Sequence, residues 1–128
     1  MPLRSLLVDD SPRFLAAARE LLEREGIDVV GIASTIDDAV RLTGELRPDL
    51  CIVDIDLGDE SGFDLAQRLA EPGGGQQRVL LISAYPEHDF SDMISDSPAL
   101  GFLPKPELSA ERIRAMLATD EVGEPPLA

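Results

Sequence analysis

Leu50-Cys51-Ile52-Val53 is an unbroken apolar run that ends on a carboxylate, Asp54. A run this short, with Pro48 before it and Gly58 and Gly62 after it, reads as a strand covered on both faces. Such strands belong to parallel sheets layered between helices, and this constrains the rest of the chain. Asp54 then stands at the carboxyl end of a central strand. In open α/β sheets that edge is where ligands bind.

The remaining segments follow the same plan. Ser5-Leu6-Leu7-Val8 is a second apolar run, and it ends in Asp9-Asp10. Ser11-Pro12 opens a helix, with serine suited to the cap and proline to the first position. Phe14, Leu15, Ala18, Leu21 and Leu22 line one face of it, and Gly26 stops it. Val29 to Ala33 is the next strand. Thr35 and Asp38 have capping-box spacing for a helix that ends before Pro48. Ser61 and Asp64 repeat that spacing, and Phe63, Leu65, Ala66 and Leu69 follow. Arg78 to Ser83 is the fourth strand and Gly101-Phe102-Leu103 a short fifth. Between them, His88 to Ile94 is expected to form a brief helix with Phe90, Met93 and Ile94 inward, broken by Ser95-Asp96-Ser97-Pro98. Ser109 caps a last helix with Ile113, Met116 and Leu117 inward.

Strands and helices thus alternate five times, the pattern of a parallel sheet with helices on both faces. The expected organisation is one domain over residues 1–118 and an acidic, loose tail over 119–128. The glycines of Glu71 to Gln77 form a connection and no phosphate loop, because no strand feeds them and no Gly-Lys-Ser/Thr follows.

The 128 residues carry 25 acids against 11 bases, a net charge of −14. That balance argues against direct nucleic-acid binding, which needs a basic footprint. No run approaches the ~20 apolar residues of a membrane span. The first residues lack a signal-peptide pattern, so the expected location is cytoplasmic, without membrane attachment. The single cysteine, Cys51, excludes an internal disulfide and reads as a core residue in a reduced compartment.

In a parallel sheet, Asp9, Asp10, Asp54, Ser83 and Lys105 all fall on one edge, because each follows a strand. Three crowded carboxylates repel one another unless a cation sits among them. Hard oxygen ligands suit Mg²⁺, which commonly bridges a carboxylate to a phosphate. A carboxylate can also act as a nucleophile and form an aspartyl phosphate. A metal ion, a lysine and a hydroxyl can together hold the charge of a transferring phosphoryl group.

Val8-Asp9-Asp10, Asp54-Ile55-Asp56-Leu57 with Gly62, Ser83-Ala84, and Gly101-Phe102-Leu103-Pro104-Lys105-Pro106 together resemble the receiver domain of two-component response regulators, of the CheY-like kind. The resemblance runs from about Leu3 to Leu117, with the motifs in order. It implies a flavodoxin-like, doubly wound five-stranded parallel sheet with five helices and strand order 2-1-3-4-5. It also implies that Asp54 accepts a phosphoryl group from a histidine kinase or phosphotransfer protein. Asp9, Asp10, Asp54 and the main-chain carbonyl of Asp56 would bind Mg²⁺. Lys105 would pair with the phosphate, its bond to Pro106 being cis. Ser83 and Phe102 would switch together, reshaping the face of the fourth helix, fifth strand and fifth helix. Asp56 and Tyr85 would set the lifetime of the acyl phosphate. Gly58 replaces the family's usual proline, which predicts a looser loop. Asp59 and Glu60 read as solvated loop charges, and His88 as an exposed residue without a role.

The expected function is a stand-alone phosphorylation switch of protein–protein contacts rather than a turnover enzyme. Its downstream partner stays open, as does a phosphorylation-linked dimer. Two alternatives remain at this level. One is a receiver-shaped scaffold that works without phosphorylation. The other is a phosphatase of the haloacid-dehalogenase-like kind, whose nucleophile motif Asp54-Ile55-Asp56-Leu57 also resembles. That family's motif normally follows the first strand.

Overall fold

The computed structural model describes residues 2–71, 73 and 77–122. Five parallel strands, β1 (Arg4–Val8), β2 (Asp28–Ala33), β3 (Leu50–Asp54), β6 (Val79–Ser83) and β7 (Gly101–Pro104), form one sheet in the order β2-β1-β3-β6-β7. A two-stranded hairpin, β4 (Asp56–Leu57) with β5 (Glu60–Ser61), follows β3. With the hairpin set aside, the order is the expected 2-1-3-4-5. The helices are α1 (Pro12–Arg24), α2 (Ile36–Leu46), α3 (Gly62–Ala70), α4 (Ser91–Asp96) and α5 (Ala110–Val122).

Side chains alternate across each strand, so the apolar runs divide between two cores. Leu6, Val8, Cys51, Val53, Leu81 and Phe102 pack on one face with Ile36 and Ala39 of α2 and Leu65, Ala66 and Leu69 of α3. Leu7, Ile52, Leu80, Ile82 and Leu103 pack on the other with Leu15, Ala18 and Leu22 of α1 and Ile113 and Leu117 of α5. Central strands have no solvated face, which is why β3 and β6 contain no polar break before their last residue.

Register puts the strand ends level. Val8 is opposite Val53, Asp54 opposite Ile82, and Ser83 opposite Pro104. The residues after β1, β3, β6 and β7 therefore share one edge.

The caps read from the sequence are present. Ser11 Oγ accepts from Phe14 N, Thr35 Oγ1 from Asp38 N, Ser61 Oγ from Phe63 N, and Ser109 Oγ from Arg112 N. Long-range caps add to them. Glu25 Oε1 accepts from Ala110 N at 2.7 Å, at the start of α5. The Arg4 guanidinium donates to the carbonyls of Leu46 and Arg47 at the end of α2, at 2.7 and 2.9 Å. A cation there also opposes the negative end of the helix dipole.

Three expectations are corrected. The brief helix begins at Ser91, after a 3₁₀ turn at Glu87–Asp89, and Met93 is 52% exposed instead of inward. Phe90 and Ile94 do pack on the core. Phe90 caps this six-residue helix with non-helical backbone (φ −132°, ψ 15°), and Met93 and Ile94 point about 100° apart around it, so the three do not share one face. The loop after Asp54 is a bridged hairpin, with Gly58 in the left-handed region at φ 77° donating its N–H to Asp56 Oδ1 at 3.1 Å. The last helix runs to Val122, past the boundary expected at residue 118. The rest of the expected tail, residues 123–128, lies outside the described residues.

Candidate functional site

Asp9 leaves β1 with its N–H still bonded to Ala33 O at 3.1 Å, as if the strand continued one step. That bond, and one from Ser11 N to Asp9 Oδ1 at 2.8 Å, hold the buried carboxylate at the sheet edge. Asp54 is equally fixed. The ladder runs on past it, with Ile55 N donating to Ile82 O at 3.0 Å. Asp56 N donates to Asp54 Oδ1 at 3.1 Å.

Lys105 joins the two carboxylates. Its Nζ lies 2.7 Å from Asp9 Oδ2 and 3.0 Å from Asp54 Oδ2, and its side chain is only 16% exposed. It is the only lysine in the chain; every other basic side chain apart from His88 is an arginine. A compact ammonium fits between two carboxylates where a planar guanidinium would demand a fork.

Gly62 opens α3 directly against the acceptor strand. A Cβ there would lie 2.0 Å from Asp54 O and 2.7 Å from Ile55 Cα, so only glycine allows this approach. Gly58 is confined in a similar way, by its positive φ and by Asp10 Oδ2, 3.2 Å from where its Cβ would be.

The electrostatics are unequal within the ion pair. Burial pushes the Asp54 carboxyl up to about 6, outweighing the bond from Asp56 and the contact with Lys105, while the Asp9 charge adds to the rise. For Lys105 burial acts downward, but contact with Asp9 and Asp54 outweighs it and the ammonium is held above its usual range. The lysine is thus secure in its charge, and the aspartate is the partner that carries the desolvation.

One ammonium does not balance three carboxylates. Oxygens of Asp9, Asp10 and Asp54 lie within 4.8 Å of one another. Asp9 Oδ2 is buried and meets no hydrogen bond beyond its ion pair with Lys105 at 2.7 Å. Buried acceptors normally find partners. The set offers hard oxygens only, with Asp10 open to solvent, and it fits a hydrated Mg²⁺ ion.

The other residues singled out from the sequence lie around this edge. Ser83 is buried at the end of β6, and its Oγ accepts from Tyr85 N at 2.9 Å, within its own loop. Phe102 is buried in the core on the α2–α3 side of the sheet. Tyr85 is 57% exposed, its ring 6.4 Å from that of Phe90. Asp56 is exposed, with its carboxylate turned to Gly58 N. The peptide bond between Lys105 and Pro106, expected to be cis, is trans: the structure has no cis peptide bond among the described residues. Lys105 and Pro106 begin a 3₁₀ turn (Lys105–Glu107), and the lysine reaches both carboxylates from a trans bond, the ordinary preference before proline.

Two residues have roles beyond those the sequence predicts. Glu60 is no loose loop charge: its Oε1 accepts from Ile36 N at 2.9 Å, tying the hairpin after Asp54 to the start of α2. Phe14, expected only as part of an apolar face, has Lys105 Nζ 4.2 Å from its ring centroid. No local spacing marks either contact.

An open parallel sheet with paired acids and a lysine at its carboxyl edge defines a class of signalling domain. The response regulator receiver domain profile matches residues 6–118, and the chain belongs to that family. It is 33% identical over 113 residues to the transcription regulator BvgA of Bordetella pertussis, covering 88% of this chain and 54% of that protein. It is 27% identical over 130 residues to the transcriptional regulatory protein PdtaR of Mycobacterium tuberculosis, covering 94% and 62%. The signal receiver domain of the response regulator NarL from Mycobacterium tuberculosis superposes with a TM-score of 0.78 at 27% identity, covering 94% of this chain and 98% of that one. The chain thus spans between half and two thirds of the length of these two curated relatives. No described helix is long and apolar enough to cross a membrane.

Proposed function

We propose that this chain is a phosphorylation switch in which Asp54 accepts a phosphoryl group from the phosphohistidine of a kinase or phosphotransfer protein. The observation that carries this reading is the Lys105 ammonium held between Asp54 Oδ2 and Asp9 Oδ2 beside a third carboxylate, Asp10. Burial raises the Asp54 carboxyl only to about 6, below neutral pH, which is compatible with the ionised form a nucleophile requires.

In the proposed step an Asp54 oxygen attacks phosphorus. The bond from phosphorus to the donor's imidazole nitrogen breaks, its electron pair leaves with that nitrogen, and an acyl phosphate remains on Asp54. Asp9, Asp10, Asp54 and the Asp56 main-chain carbonyl would hold Mg²⁺, which when bound supplies positive charge beside the phosphoryl oxygens. Lys105 turns from carboxylate to phosphoryl oxygen over a short distance, since its ammonium already lies 3.0 Å from Asp54. Asp54 keeps its orientation through the N–H of Asp56. Ser83 Oγ gives up Tyr85 N for a phosphoryl oxygen, and Phe102 repacks beneath it. Water attacking phosphorus later releases inorganic phosphate and restores the carboxylate, at a rate tuned by Asp56 and Tyr85.

The output we propose is a change of protein–protein contacts. A net charge of −14 gives this chain no basic footprint for a phosphate backbone.

The test is incubation with Mg²⁺ and acetyl phosphate followed by intact mass measurement, with Asp54→Asn alongside. The expected result is one added phosphoryl mass that needs Mg²⁺ and is absent from the variant. An adduct that survives in Asp54→Asn would remove Asp54 as acceptor. No adduct from acetyl phosphate or from a panel of phosphorylated kinases would remove the switch reading.

A further inference from the structure

We propose that Phe14 is a positioning residue for the phosphoryl-transfer site: its ring holds the Lys105 ammonium over Asp54 by a cation–π contact. This rests on the function proposed for Asp54.

The contacts close a ring. Asp9 Oδ1 accepts from Ser11 N at 2.8 Å, and Ser11 Oγ accepts from Phe14 N at 3.3 Å. The Phe14 ring centroid is 4.2 Å from Lys105 Nζ, and Nζ returns to Asp9 Oδ2 at 2.7 Å. One serine thus orients both the carboxylate and the backbone of the residue that covers the lysine. Pro12, at the first position of α1, fixes the entry of the chain into that turn.

The chemistry explains why such a holder matters. A lysine has four rotatable carbons in its stem and strongly prefers hydration. Two directions around its nitrogen are taken by Asp9 and Asp54. The negative face of an aromatic ring within about 6 Å attracts the charge and shuts water out on its side. When charge moves from Asp54 to phosphoryl oxygens, the ammonium must follow by a short swing and stay at the site instead of escaping to solvent. Phe14 supplies the surface on which it pivots. An aliphatic side chain of similar bulk fills the same space but lacks the quadrupole.

Lys105 being the only lysine, selective ¹³C-lysine labelling gives one side-chain signal. The test compares wild type, Phe14→Tyr and Phe14→Leu, with the folded fraction of each checked by urea unfolding. In the wild type the Lys105 ε-methylene protons are expected upfield of their random-coil position, because they lie near the ring. Phe14→Tyr keeps that shift and Phe14→Leu loses it. Loading by acetyl phosphate with Mg²⁺, followed by intact mass, is expected within about twofold of wild type for Phe14→Tyr. For Phe14→Leu it is slowed roughly three- to tenfold, the range open to a partly desolvated cation–π contact.

Wild-type loading in Phe14→Leu, or equal slowing in Phe14→Tyr, overturns the positioning role while leaving the function of Asp54 intact. An unshifted Lys105 signal in the wild type overturns it too. A wild type that takes up no phosphoryl group refutes the proposed function, and the role of Phe14 falls with it.

Discussion

Replacing Asp54 with asparagine should stabilise the protein at neutral pH, and the gain should vanish in acid. The Asp54 carboxyl is raised from 3.8 to about 6, chiefly by burial. The folded state therefore binds a proton more tightly than the unfolded chain. Stability from this group is fully present below about 3.8 and is lost as pH rises through 6. About two units correspond to roughly 3 kcal/mol by the time Asp54 is fully ionised. Asparagine has the same shape, still accepts from Asp56 N, and has no charge to desolvate. The attraction to Lys105 acts only on the ionised carboxylate and is already contained in the value of about 6, so its loss adds no separate contribution. The assay is urea unfolding of both proteins at several pH values between 4 and 8, with chelator present. The stability of the variant minus that of the wild type should climb by roughly 2–3 kcal/mol from pH 4 to pH 7.5. Saturating Mg²⁺ should reduce the difference at neutral pH, since the ion compensates the wild-type carboxylates. A difference that is flat with pH, or that falls as pH rises, would refute the claim that Asp54 is ionised at a cost.

Further predictions concern the frame around the site. Gly62→Ala places a Cβ 2.0 Å from Asp54 O, and we expect a loss of about 3 kcal/mol or more together with loss of phosphoryl loading. Gly44→Ala, in α2 with nothing within 4 Å, should instead gain roughly 0.5–1 kcal/mol; equal melting behaviour of the two variants would contradict the steric argument. Glu60→Ala leaves Ile36 N without its acceptor and should cost about 1 kcal/mol in urea unfolding, whereas Glu60→Gln, which keeps an oxygen there, should cost less. The Cys51 thiol is fully buried and pushed up to about 12, so a thiol reagent at pH 8 should label it only as fast as the protein opens; rapid labelling of the folded protein would show that β3 is accessible.

Much of the fold is legible because it follows from periodicity over short distances. An apolar run without a polar break must be covered twice, so β3 and β6 are central strands. Serines and threonines one residue before a helical stripe are caps because the bond they make spans only two or three residues. Met93 shows where this fails. In a helix of six residues, three apolar side chains do not define a face, and Phe90 stands outside the helical turns as their cap. Gly62 is visible in the sequence as a glycine after an acidic loop. Its purpose, clearance from Asp54 O, is visible only with both segments in place.

By itself, the sequence determined that the chain alternates strand and helix. It also determined that Asp9, Asp10, Asp54, Ser83 and Lys105 emerge at one edge, since each follows a strand and parallel strands end together. The tertiary structure decided how those groups meet. Lys105 bridges Asp9 and Asp54, Asp54 is buried enough to raise its carboxyl, Phe14 covers the ammonium, and Ser83 Oγ faces its own loop. Glu60 and Glu25 cap helices that begin 24 and 85 residues away. These contacts depend on side-chain direction and on the approach of distant segments to within hydrogen-bonding or van der Waals distance. Local hydrophobic pattern and turn chemistry carry no information about either.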